Sequence, residues 1–328
     1  MDRRSYLRTI AVAVAGIAGC TSSDTRNQST DTATTAPTTD TTTSVDTSTA
    51  TESATETEAA TQTTSQPQPD AATEIKRTRR ALTTALQAYT GSDDPDLTTV
   101  TATTSSFQPS PVDTALTDAE DALTAAKEAE TTDKQSKTIG RLTGIHSFLS
   151  RSTTAQAAVC RAYTALKTAQ SALQNENPTE AQSASFTMRT AVTDTLKPVS
   201  DLQRERNQSD TDALTALSRG EYSTKIQQLA GERRALNGTE GLLARVIQGV
   251  KSLVAARTSH RLGEYSDAVE QASNAERVLE AASEDLGEHA AGVSYSVTEG
   301  VLALESTAAS KADAAAHVGQ ESADKLNG

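Results

Sequence analysis

A change in composition at residue 70 is the feature that most constrains how this chain folds. Residues 21–69 comprise 49 residues, of which 19 are threonine and seven are serine, and Val45 is their only large aliphatic side chain. Such a segment buries too little apolar surface to offset the conformational entropy that is lost on ordering. We therefore predict a disordered stalk up to residue 69 and a folded body over residues 70–328.

The body has the spacing of apolar residues that is typical of amphipathic helices. Leu82, Leu86 and Tyr89, for example, share one helix face, and no segment of the sequence alternates with a period of two as a strand does. The predicted elements are a helix over 70–91 that ends at Gly91, a loop over 92–109, a helix over 110–130 with Ser110 as N-cap, a helix over 134–175, a helix from 177 that is kinked at Pro198, and a helix over 288–325. The fold class is therefore all-α, as an irregular stack of helical hairpins or a bundle.

A weak internal repeat marks the predicted turns. Gly220-Glu221-Tyr222 recurs as Gly263-Glu264-Tyr265, and Asn177-Pro178-Thr179 precedes the first copy at a similar interval. Residues 261–270 resemble the turn and second helix of a tetratricopeptide hairpin. The interval exceeds the 34-residue period of that family, and Lys225 stands where the family has a small residue. A tetratricopeptide array stays open as an alternative, and the irregular stack is favoured.

The first twenty residues have the layout of an export signal. A positively charged start precedes residues 9–19, which carry no charge, and Cys20 follows them. As a helix this uncharged stretch would span roughly 16 Å, about half of the hydrocarbon core of a bilayer, so it is too short for a permanent membrane span. The layout therefore predicts a cleaved signal peptide over residues 1–19, with an uncleaved helix as the alternative.

Two short motifs in this region are similar to those of exported lipoproteins. Arg3 and Arg4 begin a stretch that resembles the twin-arginine export signal, and Ile17-Ala18-Gly19-Cys20 resembles a lipobox. The resemblance implies that Cys20 receives a diacylglyceryl group and becomes the mature N-terminus. Two lipid chains hold a protein firmly at a membrane, where one chain holds it only marginally. We therefore expect an extracytoplasmic lipoprotein that is anchored to the outer face of the cell membrane.

Glycosylation is expected on an exported chain of this kind. The threonine-rich stalk resembles the O-glycosylated stems of surface proteins. Three N-glycosylation sequons begin at Asn27, Asn207 and Asn237, and we place the latter two in turns between helices.

The charge of the chain limits its partners. The net charge is −13, and removal of residues 1–19, which carry three arginines and one aspartate, leaves −15. The acidic balance, with 10 lysines against 20 arginines, resembles proteins of halophilic archaea, and an ordinary acidic extracellular protein is the alternative. Such a charge keeps a protein soluble and disfavours nucleic acid as a partner.

No motif for catalysis is present, and we predict no enzyme activity, no cofactor and no metal site. His260 and Glu264 are four residues apart, as two ligands on a helix would be, but Gly263 is expected to break the helix between them. Cys160 has no partner for an intramolecular disulfide once Cys20 is lipidated, and we interpret it as a small buried thiol rather than a reactive or metal-binding one. Residues 74–80 are locally basic, which is typical of a solvated helix start, with contact to the acidic stalk or to anionic headgroups as alternatives.

These observations favour a lipid-anchored helical scaffold on the cell surface that binds a protein or peptide partner between its hairpins. One alternative is a solute-binding lipoprotein of a transporter, which predicts a two-lobed α/β body. A hydrolase with a dispersed site is a further alternative, because scattered carboxylates leave no sequence signature.

Overall fold

A computed structural model describes residues 70–129, 131–205, 211–293 and 295–328, and these residues confirm the all-α fold. The helices are α1 (Ala71–Thr90), α2 (Pro109–Glu128), α3 (Asp133–Gln174), α4 (Pro178–Asp194), α5 (Leu196–Glu205), α6 (Arg219–Leu262), α7 (Tyr265–Ala291) and α8 (Thr298–Asn327), with 3₁₀ turns at Leu97–Thr99 and Thr211–Ala213. The predictions on Arg3, Arg4, Cys20, Asn27, Asn207 and the stalk lie outside the described residues.

The helix ends follow from local chemistry. The two long helices, α3 with 42 residues and α6 with 44, both begin in a capping box: Thr132 with Gln135, and Ser218 with Glu221. In each box the hydroxyl accepts a hydrogen bond from a backbone N–H that has no partner within the helix. At its other end α6 stops at Gly263, whose φ of 79° is readily adopted only by a residue without a Cβ. The predicted break between His260 and Glu264 is thus confirmed.

Proline and asparagine divide the segment after α3. Pro178 occupies the first turn of α4, where its missing N–H costs nothing, and the side chain of Asn177 caps that helix. Farther on, α4 ends at Asp194 and α5 begins at Leu196, with Thr195 between them. Pro198 explains this interruption, because proline cannot donate to the carbonyl four residues earlier and its ring clashes with it. The predicted kink is confirmed.

The C-terminal half is a run of hairpins in which α6 packs on α7 and α7 on α8. The inner face of α7 is mostly alanine; its buried residues are Ala268, Ala272, Ala275, Leu279, Ala282, Leu286 and Ala290. Small side chains three and four residues apart let neighbouring helix axes come close. Gly249 of α6 contributes to this approach, because a Cβ there would lie 2.5 Å from Cγ of the fully buried Leu279. Helix α8 also packs on α3 and α6, which closes the bundle.

Three sequence-based placements are wrong. Residues 288–325 do not form one helix: α7 runs to Ala291, and α8 begins only at Thr298. Between them Val297 is fully buried and the Tyr295 ring lies against Gly231 of α6, so tertiary packing overrides the helical spacing of the valines. Helix α2 begins at Pro109 after Gln108, so Ser110 is not its N-cap.

Asn237 lies in the middle of α6 and not in a turn between helices. The side chain of Asn237 is exposed, but Thr239, the last residue of the sequon, is fully buried and its hydroxyl donates to the Ala235 carbonyl at 2.9 Å. Glycosylation at Asn237 stays a prediction, and the helix makes the site a poor one for an enzyme that approaches an accessible turn.

The described residues contain no strand, so the two-lobed α/β body of a solute-binding lipoprotein is absent from this part of the chain. No helix in the described ranges combines the length and the apolar character that crossing a bilayer requires.

Candidate functional site

Two features of the body concentrate polar groups: a cavity beside α6 and α8, and a buried cluster where α6 passes α3. The first, here called the α6–α8 cavity, has a volume of about 650 Å³. Its apolar floor consists of Val254, Ala314 and Val318. Its charged and ionisable lining consists of Glu176, Arg257, His260, Arg261, His317 and Glu321.

Glu176 fixes one wall of this cavity in place. It follows α3 with a φ of 56°, a left-handed conformation that residues with a Cβ rarely adopt. The N–H groups of Glu176 and Asn177 return to carbonyls in the last turn of α3, which is the usual way of ending a helix with a left-handed residue. Its carboxylate receives Arg257 of α6, and it receives Nζ of Lys311 from α8 at 2.9 Å. Glu176 therefore ties the α3–α4 turn to two other helices.

The ionisation of Glu176 reflects these partners. Partial burial alone would raise its pKa, but hydrogen bonds from Lys311 and Arg257, together with their charge, outweigh burial and lower the pKa below its ordinary value. The carboxylate is therefore fully charged near neutral pH, and both cations are held by it.

Two substitutions of Glu176 separate the effect of its ion pairs from that of its left-handed backbone conformation. In Glu176→Ala both ion pairs are lost and the left-handed conformation stays costly, so we expect the free energy of unfolding to fall by roughly 1 to 2 kcal/mol. Glu176→Gly loses the same pairs but adopts the conformation freely, so it should be about 1 kcal/mol more stable than the alanine variant. Denaturant unfolding monitored by circular dichroism measures both. Equal losses in the two variants would show that the backbone at this position is not strained.

A second cavity adjoins the first across the Glu176–Lys311 pair. This α3–α8 cavity has a volume of about 530 Å³. Its lining is amide- and hydroxyl-rich and consists of Gln170, Gln174, Ala303, Ser306, Thr307, Ser310 and Lys311. Together the two cavities follow α8 from Ala303 to Glu321, which is roughly 27 Å at the rise of an α-helix. A ligand that occupied both would therefore be elongated.

The second polar feature is a buried cluster centred on Lys225 of α6, here called the α6 polar cluster and formed by Lys225, Gln228, Glu232, Gln156 and Tyr89. Lys225 is fully buried, and its ammonium donates to the Val100 carbonyl at 2.5 Å, to Oε1 of Gln156 at 2.6 Å and to Oε1 of Gln228 at 3.3 Å. These three acceptors match the three N–H donors of a charged lysine. Burial nevertheless lowers the pKa of Lys225 to about 8.

Glu232 lies about two turns after Lys225 on α6 and holds two loops. Its Oε1 accepts hydrogen bonds from the Ala102 N–H at 3.1 Å and from the Ser296 hydroxyl at 2.7 Å. Ala102 belongs to the connection between α1 and α2, and Ser296 to the one between α7 and α8, so one carboxylate joins both to α6. Burial raises the pKa of Glu232 although these hydrogen bonds oppose the shift. Its Oε2 is buried without a hydrogen-bond partner among the described residues.

Tyr89 and Cys160 complete the surroundings of Lys225. The hydroxyl of Tyr89 donates to Oε1 of Gln156 at 3.3 Å, and the ammonium of Lys225 lies 5.3 Å from the centre of the Tyr89 ring. Burial raises the pKa of Tyr89 and also that of the Cys160 thiol. Cys160 is free and half-buried, and its thiol donates to the Thr101 carbonyl at 3.4 Å. Cys160 is therefore less buried than the buried thiol that the sequence predicted, and its raised pKa disfavours the reactive thiolate form.

Two further histidines and the basic segment over residues 74–80 lie apart from these features. His146 and His289 bond to backbone carbonyls, of Leu116 and Ala235 respectively. In the basic segment, Arg79 donates to the Ala213 carbonyl and Arg77 pairs with Glu74 at 3.7 Å. Within the described ranges no three His, Cys, Asp or Glu side chains are grouped so that they could hold a metal ion.

Sequence reasoning found His260 but not its surroundings. Nδ1 of His260 lies 2.8 Å from the Ser322 hydroxyl of α8, and not beside Glu264 as a helical pair of ligands would require. Glu176, Arg257, Arg261 and His317 carried no signal as a group, because they come from three separate helical segments. Glu176 could be noticed in the sequence only as a polar residue two positions before Pro178, where α3 has to end.

Comparison of the chain with protein-family models, with curated proteins and with solved structures finds no match. The fold and the cavities define an all-α protein with two adjoining polar cavities along α8, here together called the groove.

Proposed function

We propose that this chain is a lipid-anchored binding protein of the cell surface, which holds a protein or peptide segment in the paired cavities along α8. The observation that carries the proposal is the α6–α8 cavity of about 650 Å³, which lies between helical hairpins and is lined by apolar side chains together with arginines, histidines and two glutamates. Its volume is within the range of ligand sites in general. The roughly 27 Å span with the α3–α8 cavity suits an extended segment of about eight residues.

The predicted stalk and anchor support the same role. A lipid on Cys20 would fix the chain to the membrane, and residues 21–69, treated as a flexible chain, would span on the order of 40 Å. That reach would carry the body away from the headgroups and leave the groove accessible to partners outside the cell. The Arg3-Arg4 motif supplies the export route in this proposal.

The anchor is tested by the incorporation of labelled lipid in the native host. We expect the wild-type chain to carry the label and to sediment with membranes, and Cys20→Ser to be unlabelled and soluble, since the thiol is the atom that accepts the lipid. A wild-type chain that is recovered in the soluble fraction with Met1 still present contradicts the proposal.

Binding is tested by a photo-crosslinking amino acid on intact cells. Ala314 lies on the floor of the α6–α8 cavity, and Thr114 is an exposed position on α2 that serves as the control. We expect a discrete adduct from position 314 that is absent from position 114, and mass spectrometry should map it to one short segment of the partner. The same adducts from both positions, or none from position 314, would refute binding in this groove.

A further inference from the structure

Arg261 is the group in the α6–α8 cavity whose charge the protein itself leaves uncompensated. Arg257, one turn earlier on α6, is held by Glu176. Arg261 makes only two long hydrogen bonds, from Nε to the Arg257 carbonyl at 3.4 Å and from Nη2 to the Thr258 hydroxyl at 3.3 Å. Among the described residues no carboxylate pairs with it. Arg261 is exposed and lines the cavity, so its guanidinium can bind an anion that enters from outside.

His260 presents a second unused group to the same cavity. The Ser322 hydroxyl donates to the Val318 carbonyl at 2.7 Å, so the same oxygen must accept from Nδ1 of His260 at 2.8 Å. This arrangement places the hydrogen of the neutral imidazole on Nδ1. Nε2 of His260 then has no partner among the described residues. It is free to accept a hydrogen bond from a peptide N–H or, when the ring is protonated, to donate one to a carboxylate.

The other residues that line the α6–α8 cavity limit the chemical class of ligand that fits it. The carboxylate of Glu321 lies 3.5 Å from Nδ1 of His317, so each of these groups faces one of opposite polarity when the imidazole is protonated. Val254, Ala314 and Val318 offer apolar contact below the charged groups. No phenylalanine, tyrosine or tryptophan is among the residues that line the α6–α8 cavity.

The adjoining α3–α8 cavity supplies what an extended backbone needs. Gln170 and Gln174 of α3 present amides, and Ser306 and Ser310 of α8 present hydroxyls. Amides and hydroxyls both donate and accept, as the N–H and C=O groups of an extended peptide require. The charged cavity and the amide-lined cavity are thus matched to the side chain and the backbone of one ligand.

From this geometry we propose that the groove takes an extended peptide segment bearing a carboxylate, which Arg261 binds. Nε2 of His260 accepts a hydrogen bond from a backbone N–H of that segment, and Gln170 and Gln174 bond to the rest of its backbone. This assignment rests on the proposed function and names the chemistry of its ligand. At 1 M salt the Debye length is about 3 Å, so distant charges are screened and a direct contact between Arg261 and the carboxylate is what can distinguish a charged from an uncharged peptide.

The test uses the full chain in 1 M KCl and two fluorescein-labelled octapeptides, one alternating glutamate with alanine and the other glutamine with alanine. We expect fluorescence anisotropy to show binding of the glutamate peptide and at least tenfold weaker binding of the glutamine peptide. Arg261→Gln should weaken binding of the glutamate peptide about tenfold or more, because a charge-assisted bidentate contact is lost. Arg277→Gln is the matched control, an exposed arginine of α7 that bonds to Asn274 and lies outside the cavity lining.

The outcomes separate this inference from the proposed function. Equal binding of the two peptides overturns carboxylate recognition and leaves peptide binding standing. Equal loss in Arg261→Gln and Arg277→Gln overturns the assignment to Arg261. Binding of neither octapeptide at millimolar concentration overturns the ligand class, whereas the proposed function is refuted by the crosslinking at position 314 or by the anchor test.

Discussion

Replacement of Lys225 by alanine is expected to lower the free energy of unfolding by roughly 3 to 5 kcal/mol, the largest effect we anticipate for a single substitution in this chain. The side chain is fully buried, so its removal leaves a cavity where four methylene groups had packed. It also removes one hydrogen bond each from Val100, Gln156 and Gln228. The Val100 carbonyl keeps the amide of Gln228 as a donor, and Gln156 keeps the Tyr89 hydroxyl, so these buried acceptors pay part of their desolvation cost. Denaturant unfolding at neutral pH and constant salt measures the loss.

Two further variants show whether lost packing or unpaired polar groups cause most of the instability. Lys251→Ala is the matched control, since Lys251 is a lysine of the same helix whose one bond, to Gln182, is exposed; we expect a change below about 1 kcal/mol. The triple variant Lys225→Met, Gln156→Leu and Tyr89→Phe fills the volume and removes the ammonium, its amide acceptor and the hydroxyl that shares this acceptor, so it should recover much of the loss. A triple variant as unstable as Lys225→Ala would contradict the view that unpaired polar groups cause the instability.

The helical framework could be predicted from the sequence because its determinants are local. Apolar spacing predicted a helix over 134–175, and α3 runs from Asp133 to Gln174. The glycine at 263 and the proline at 198 act through the backbone of their own segment, and both breaks occur where they were expected. The repeated turn triplets also have local meaning, since α4, α6 and α7 each begin at or beside one of them.

The prediction failed where distant packing decides the local structure. Val293 and Val297 continue the spacing of a helix, but the chain between Ala291 and Thr298 leaves the helix. The gain that compensates is non-local: Val297 becomes fully buried, and Ser296 reaches Glu232, a residue 64 positions away. Residues 291–298 contain one alanine among glycine, valine, serine, tyrosine and threonine, which favour a helix less than alanine does, so contacts of this kind decide where α7 ends and α8 begins.

The polar features were harder to predict than the fold. Lys225 attracted notice only as a departure from the small residue of a tetratricopeptide hairpin. Its partners Gln156 and Val100 lie 69 and 125 residues away, so no spacing rule brings them together. The same holds for Arg257 and Glu176, which are 81 residues apart. For Lys225 the sequence showed only that a lysine stands where a small residue was expected. It did not show which residues surround that lysine in the fold.

The second large effect is a rise in stability at alkaline pH that depends on Lys225. Burial lowers the pKa of this lysine from 10.5 in the unfolded chain to about 8 in the folded one. Between these values the unfolded state keeps a proton that the folded state has released, so the free energy of unfolding increases with pH. The increase attributable to Lys225 is about 3 kcal/mol over the whole window, with a slope of at most about 1.4 kcal/mol per pH unit.

Other groups of the α6 polar cluster and its surroundings oppose this trend and have to be subtracted. The pKa values of Cys160 and Tyr89 are raised by burial, so the unfolded state loses their protons first and stability falls as the pH passes their ordinary values. Glu232, whose pKa is also raised, acts in the acid range, where its contribution is present below the ordinary value and lost as the pH rises through the folded one. The informative quantity is therefore the difference between the wild-type chain and Lys225→Met, measured by denaturant unfolding from pH 7 to pH 10.5. If that difference stays flat, Lys225 keeps its proton throughout, and its three acceptors then outweigh the cost of burying the charge.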